Sequence, residues 1–468
     1  MNPCDCRLPR RRFLQTAALA AAAPAIALPG EATPEGAPEK MNPIREAPRE
    51  TPVVADVDLC VVGGSCTGVF AAVAAARLGA RVAIVEANGF FGGVATASLV
   101  SVWHSTKDIK GEQQVIAGLT TETVERLARR DAVRFVGSAS QYFVLNTEEL
   151  KIELDLLVGE AKVRPFLHTL FVAPAVEDGR LAAAIIEDKT GRRAIRAKQF
   201  VDATGDADLV ARLGLPVYKR DDVQPPTTCV ILRGLGAIAK AHKGFNVHSA
   251  IFDPKYPQAL RRGFAWGSAV PGGNDEYMLA GTRVFGANCA DADELTQAEM
   301  EGRRQVRAIC DILRENYLGG KGNPLVTLPA RIGIRETRHA RCLHALTQDE
   351  LLGGKRFPDA IANGTYPVDI HNARGAGVTF RRLEKAPFYQ IPFASLVPKG
   401  ATNLLIAGRS IDADEGAFGA VRVMVNCNQM GQAAGVAAWL ALDSGKPVGE
   451  LDPARLREAL SKQGAIVL

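Results

Sequence analysis

The plainest chemistry in this chain lies in Gly63-Gly64-Ser65-Cys66-Thr67-Gly68, with Glu86 about 20 residues further on. A glycine turn of this kind aims backbone N–H groups at a pyrophosphate seated on a helix N-terminus. The distant acid can then accept hydrogen bonds from an adenosine ribose. Ser65 stands where the middle glycine of G-x-G-x-x-G is usual, and it is small enough to keep the close backbone approach with slight crowding. A tight turn with no ligand is the alternative.

Phe90-Phe91-Gly92-Gly93 follows closely. Paired glycines let a chain pass tightly beside a ligand. A nicotinamide dinucleotide has no special need of that, whereas a flavin dinucleotide does, because the chain must run on past its pyrophosphate and ribityl.

Other residues suit proton or charge work. Arg331 and Arg335 share a face in either a strand or a helix. Together they could fork onto a carboxylate or phosphate, or instead pair with Glu336 or Asp369. His371, in Asp369-Ile370-His371-Asn372, could move protons near neutral pH or be a satisfied structural histidine. Tyr389 and Arg422 are weaker candidates of that kind. His104 could attach a flavin covalently, although a buried, hydrogen-bonded histidine is commoner. No HExxH pattern or G-x-S-x-G element occurs, and no metal ligands are expected.

These residues need elements to position them. Val57–Val62 reads as a buried strand, Val69–Leu78 as a helix stopped by Gly79, and Arg81–Val85 as a second strand. Asn146 and Glu149 read as a capping box, with Leu150, Leu154, Leu157 and Val158 as the apolar stripe behind it. Short strands are expected over 166–172, 181–187 and 193–197, closing on Asp202-Ala203-Thr204-Gly205-Asp206. A further strand, 403–409, leads through Gly416 and Gly419 into one long helix from about Ala420 to Leu442. Gly431, Ala434, Gly435 and Ala438 on that helix allow close packing, and its N-terminus could face a developing anionic flavin ring.

The 468 residues allow two or three domains. The net charge of +5 is partly carried by Arg7, Arg10, Arg11 and Arg12, and the balance elsewhere is too weak to suggest nucleic acid. The cysteines are scattered, which argues against a disulfide framework or structural zinc. Arg10-Arg11-Arg12-Phe13-Leu14-Gln15 before an alanine-rich run resembles a twin-arginine export signal over residues 1–28. Gln15 and Pro9 depart from that signal's usual Lys and Ser or Thr, and a Sec signal or membrane anchor is the alternative. The apolar run is short for a bilayer, so no stable membrane span is expected. Residues 29–52, with six prolines, read as an extended linker.

Segments 57–93, 146–214 and 387–442 resemble the three cofactor segments of the FAD-dependent oxidoreductase superfamily with the glutathione-reductase-type Rossmann fold. More narrowly, they resemble a bacterial FAD-dependent oxidoreductase family whose members often carry export signals. The likeness rests on Phe91-Gly92-Gly93, on 202–208, on Arg331-Ile332-Gly333-Ile334-Arg335-Glu336, on 368–372, on Ile391-Pro392-Phe393, on 403–409 and on Gly431-Gln432-Ala433-Ala434-Gly435.

The resemblance implies an α/β fold. A Rossmann-type FAD-binding domain, a parallel sheet with helices plus a β-meander, would be assembled from 53–100, 146–215 and 391–445. An inserted α+β substrate or cap domain would comprise 101–145 and 216–390, with a tail over 446–468. The 63–68 loop, Glu86, Gly92 and Gly93 would hold the adenosine-pyrophosphate end, and Phe171 would lie beside the adenine. Thr204, Gly205 and Asp206 would close over the pyrophosphate. Gly408, Arg409 and the turn bearing Gly419 and Ala420 would sit near the ribityl and pyrimidine. Arg331, Arg335 and His371 would serve the chemistry.

The implied protein is an FAD-dependent oxidoreductase, periplasmic or secreted. Its partners would be a small organic substrate, an electron acceptor not identifiable from sequence, and the twin-arginine translocase during export. An NAD(P)-dependent dehydrogenase would explain 57–86 but leave 199–214 and 403–435 without a role. A flavin-fold protein with a non-catalytic binding role is the remaining alternative.

Overall fold

The computed structural model describes residues 42–137 and 142–468. The proposed export signal and residues 29–41 of the linker lie outside the described residues. Residues 42–50 are exposed and form neither helix nor strand, and Thr51–Leu468 forms one compact unit.

The central sheet has seven strands. Val53–Val62 pairs in parallel with Val82–Val85 on one side and with Gly191–Asp202 on the other; Val82–Val85 in turn pairs in parallel with Arg164–Phe166. Val82–Val85 and the inner ends of the two long strands, Leu59–Val62 and Gln199–Asp202, are buried, as parallel strands covered on both faces must be. Gly191–Asp202 has a double role. Its first half pairs antiparallel with Arg180–Asp188, and its last three residues pair in parallel with Leu404–Ile406. Leu170–Glu177 completes an antiparallel meander on Arg180–Asp188. The sheet is therefore α/β with a parallel core, and one strand carries the chain from meander to core.

The strand expected over 166–172 is two strands, because the chain turns at His168, where φ is +50°. The strand expected over 193–197 is longer, running from Gly191 to Asp202. Asn146 caps helix Thr147–Glu160 by accepting from the amides of Glu148 and Glu149. The reciprocal box expected there instead forms at Thr347 and Glu350.

Helix Cys66–Arg77 is buried for nearly its whole length, so it is alanine-rich rather than striped. Helix Met424–Ser444 crosses it closely. A Cβ on Gly431 would lie 2.1 Å from the Thr67 carbonyl oxygen, and one on Gly435 would lie 2.0 Å from that of Ala71. The long helix expected from Ala420 is broken in two: Glu415–Val421 ends at Arg422, and Val423 is extended before Met424 starts the next helix. Arg422 at the break is drawn to Asp369, donating to both its backbone and carboxylate oxygens.

A second apolar core lies between strands Val230–Arg233, Trp266–Ala269, Glu276–Ala280 and Leu325–Thr327 and helix Ala292–Tyr317. Among the described residues, no helix is long and apolar enough to cross a membrane.

Candidate functional site

A cavity of about 540 Å³ opens at the C-terminal ends of the parallel strands. That is the usual ligand position in open α/β sheets. Two of its walls differ in construction.

The first wall is backbone. Gly63 turns off the first strand at φ +103°, and a Cβ there would lie 2.5 Å from the Ala203 carbonyl oxygen. Gly68 brings the helix onto the turn so closely that a Cβ would meet the Gly63 carbonyl at 1.8 Å. Ser65 is the N-cap of that helix, its hydroxyl accepting from the Gly68 amide at 3.3 Å. This accounts for serine at a position that usually holds glycine: the hydroxyl satisfies an amide at the helix start.

Glu86 is buried and lines the cavity. One carboxylate oxygen accepts from the Gly64 amide at 2.7 Å, and the other from the Asn88 backbone and side chain at 2.8 and 2.6 Å. A carboxylate has about four acceptor positions. These three donors fix its orientation and leave capacity for a hydroxyl of a ribose. Thr204, Gly205 and Asp206 continue the wall. Their turn is held by the buried Asp202, which accepts from the Thr204 hydroxyl at 2.7 Å and from the amides of Thr204, Leu209 and Val210. Asp206 pairs with Arg409 at 2.7 Å, tying this turn to Gly408 and Arg409.

Of the cofactor residues anticipated from sequence, Gly63, Ser65, Cys66, Thr67, Glu86, Gly92, Gly93, Thr204, Gly205, Asp206, Gly408 and Arg409 line the one cavity. Gly64 and Gly68 stand just behind it as packing positions. Three residues are not brought to it. Phe171 packs under the Arg212 guanidinium on the meander. Gly419 lets its helix lie on strand Val368–His371, a Cβ there coming within 3.0 Å of the Asp369 backbone, and Ala420 accepts from Tyr389 and Asn426. The helix break moves their anticipated place to Val423, Met424 and Cys427, which do line the cavity. No side chain caps the helix starting at Met424, so its first amides have no such acceptor.

The second wall is a buried cluster of charge. Arg335 donates at 2.6 Å to the Thr227 hydroxyl and at 2.6 Å to the Pro225 carbonyl. Arg283 donates to the same hydroxyl at 2.7 Å, to the Thr282 carbonyl at 2.6 Å and to His371 Nδ1 at 3.3 Å. The Thr227 hydroxyl itself donates to Thr282 at 3.0 Å, so its proton and both lone pairs are used. Tyr366 donates to Asp369 at 2.8 Å, and Arg422 does so at 3.2 Å. The His104 ring lies on that of Tyr366, with centroids 4.1 Å apart.

The anticipated Arg331–Arg335 clamp does not form. Residues 331–335 are neither helix nor strand, so no regular face unites them; Arg331 is exposed at the rim while Arg335 is partly buried. His371 lines the cavity, but not as a group titrating near neutral pH. Burial, then the charges of Arg335, Arg283 and Arg422, hold it far below the ordinary imidazole range. Because a guanidinium can only donate, Nδ1 is the acceptor and Nε2 carries the proton. Burial likewise lowers His104 to about 4. Tyr389 is fully buried against Asn426, away from the cavity. Arg283 and Thr227 had no local signal in the sequence, since their partners lie far along the chain.

The model of the family described as FAD dependent oxidoreductase matches residues 58–460. No curated protein sequence matches the chain. Among solved structures it is similar to a geranylgeranyl bacteriochlorophyll reductase-like protein from Thermoplasma acidophilum, at 13% identity over 88% of this chain and 84% of that chain, with a TM-score of 0.46. It is also similar to a p-nitrophenol 4-monooxygenase from Pseudomonas putida, at 10% identity over 87% and 83%, with a TM-score of 0.43.

Proposed function

The chain belongs to the FAD-dependent oxidoreductase family and is an enzyme that uses FAD, and from that premise we propose that it oxidises or reduces a small organic molecule outside the cytoplasm, after export by the twin-arginine route. We place the cofactor in a glutathione-reductase-type site made from three chain segments, with 101–145 and 216–390 as the substrate side. Family membership displaces both alternatives raised by the sequence, the NAD(P)-dependent dehydrogenase and the non-catalytic binder.

The observation that carries this reading is convergence. The 63–67 turn, the 204–206 turn and Gly408-Arg409 are far apart in sequence, yet they wall one cavity together with Glu86. The residues fit the cofactor: glycine positions leave no room for Cβ atoms, and a buried, oriented carboxylate faces a place for a ribose. In this arrangement the 63–68 amides and the Thr204-Gly205 turn would hold the pyrophosphate, and Glu86 would hold the ribose. The amides at Val423 and Met424, with no side-chain cap, and the partial positive charge of that helix end would stabilise negative charge on the flavin ring. When bound, FAD supplies the two-electron chemistry. His371, neutral with its proton on Nε2, would serve as a hydrogen-bond donor rather than a proton donor. Phe264, packed at 6.0 Å from the His371 ring, helps keep water from it.

The test is anaerobic addition of sugars, hydroxy acids and amines to flavin-loaded protein. A substrate must bleach the visible flavin band, and failure of every class, with artificial reductant bleaching normally, contradicts catalysis at this site. For the export route, Arg10→Lys with Arg11→Lys should leave the protein in the cytoplasm, and unchanged export contradicts that part.

A further inference from the structure

The charge wall is out of balance. Arg283 and Arg335 share the Thr227 hydroxyl, Arg422 lies across His371 and Asp369 from them, and among the described residues the one carboxylate paired with any of the three is Asp369, which Arg422 engages. Arginine does not deprotonate inside proteins, so all three positive charges persist. Burying an uncompensated charge is expensive, and a protein that keeps two in excess must recover the cost from something that binds there.

The donors show where. Arg335 spends Nη1 on Pro225 and Thr227, and no partner engages its Nη2 or Nε among the described residues. Arg422 spends Nη2 on Asp369, while its Nε is buried without a partner among the described residues. Both side chains line the cavity, and His371 Nε2–H lies between these charges and Asp369, whose Oδ1 is 3.6 Å away. Arg283 sits behind His371 and fixes its tautomer, so it is a positioning residue. Next to this cluster the wall turns apolar, with Phe264 packed edge-on against both His371 and Phe380.

We infer that the substrate is an organic acid whose carboxylate is held by Arg335 and Arg422 beside His371, with its carbon body against Phe264 and Phe380. A carboxylate is planar and matches a guanidinium fork, and aromatic edges suit a carbon skeleton. A bound carboxylate would also offset the arginine field that adds to burial in keeping His371 neutral, so substrate binding and proton uptake at this histidine are linked. The inference rests on the proposed function but concerns a different wall of the cavity, so the two can fail separately.

The experiment uses FAD-loaded protein without residues 1–28 and four probes: benzoate and fumarate, and their uncharged counterparts benzamide and fumaramide. Binding is read from the shift of the visible flavin band and from Tm. At least one acid should perturb the band and raise Tm, while its amide at equal concentration does neither. Arg335→Gln or Arg422→Gln should weaken that acid on the order of tenfold or more with FAD content unchanged. Arg335→Lys, which keeps the charge but loses the fork, should fall between. Acids and amides acting alike, or none acting on protein that retains FAD, overturns the inference and leaves the cofactor reading standing. Protein that retains no FAD overturns both.

Discussion

The two walls of the cavity solve different problems with different materials. The nucleotide wall is backbone, shaped by glycines that permit contacts no side chain would allow, and it is held by short-range bonds such as Ser65 to Gly68 and Thr204 to Asp202. The charge wall is made of side chains drawn from segments far apart in the chain: Arg283 reaches His371 across 88 residues, and Arg335 reaches Thr227 across 108. A cofactor shared by a whole family needs a fixed cradle, whereas a substrate needs a wall whose side chains can differ at little cost to the fold. The cradle should therefore fail through stability and cofactor retention, and the charge wall through ligand and pH dependence.

The largest expected effect breaks the cradle. Gly68→Val puts carbon where the Gly63 carbonyl already is, so helix Cys66–Arg77 must lift. A loss of several kcal/mol is expected, about the upper end of overpacking costs, with FAD lost on purification. Near-normal Tm and flavin content would remove the reason given for that glycine.

A middle-sized effect belongs to the charge wall. His371 and His104 have folded pKa values below the unfolded value, so the unfolded chain takes up protons that the folded chain refuses. Their contribution to stability is complete above about pH 6.5 and is lost as pH falls, at about 1.4 kcal/mol per pH unit for each histidine. Asp208, raised to about 6 chiefly by burial, works the other way. Comparing urea unfolding of wild type and His371→Asn from pH 7 to pH 5 isolates the histidine. The variant should lose less stability, and parallel curves would show that His371 protonates freely in the folded protein.

The smallest effect is Ser65→Ala, which removes the cap and should cost about 1 kcal/mol, with Ser65→Gly costing a few tenths. No change in Tm on Ser65→Ala would mean that the Gly68 amide does not depend on the hydroxyl.

The same contrast decides what could be read from sequence. The 63–68 loop, Glu86, the 204–206 turn and Gly408-Arg409 are legible because local backbone geometry dictates residue type at fixed spacing. The 331–335 segment illustrates the limit. Periodicity offered a shared face for Arg331 and Arg335, but the segment is irregular, and tertiary contacts with Thr227 and Pro225 send Arg335 inward alone. Gly419 and Ala420 were displaced for a similar reason: the break at Arg422, tied to Asp369, restarts the helix and moves its N-terminus to Val423-Met424. Thr227 and Arg283 carry no motif at all.

The central claim is that separated chain segments hold one FAD, and the most direct measurement is retention. Protein made without residues 1–28, incubated with excess FAD and freed of unbound nucleotide, should keep about one flavin per chain and unfold at a higher temperature than the untreated protein. Colourless protein with an unchanged Tm would contradict the account.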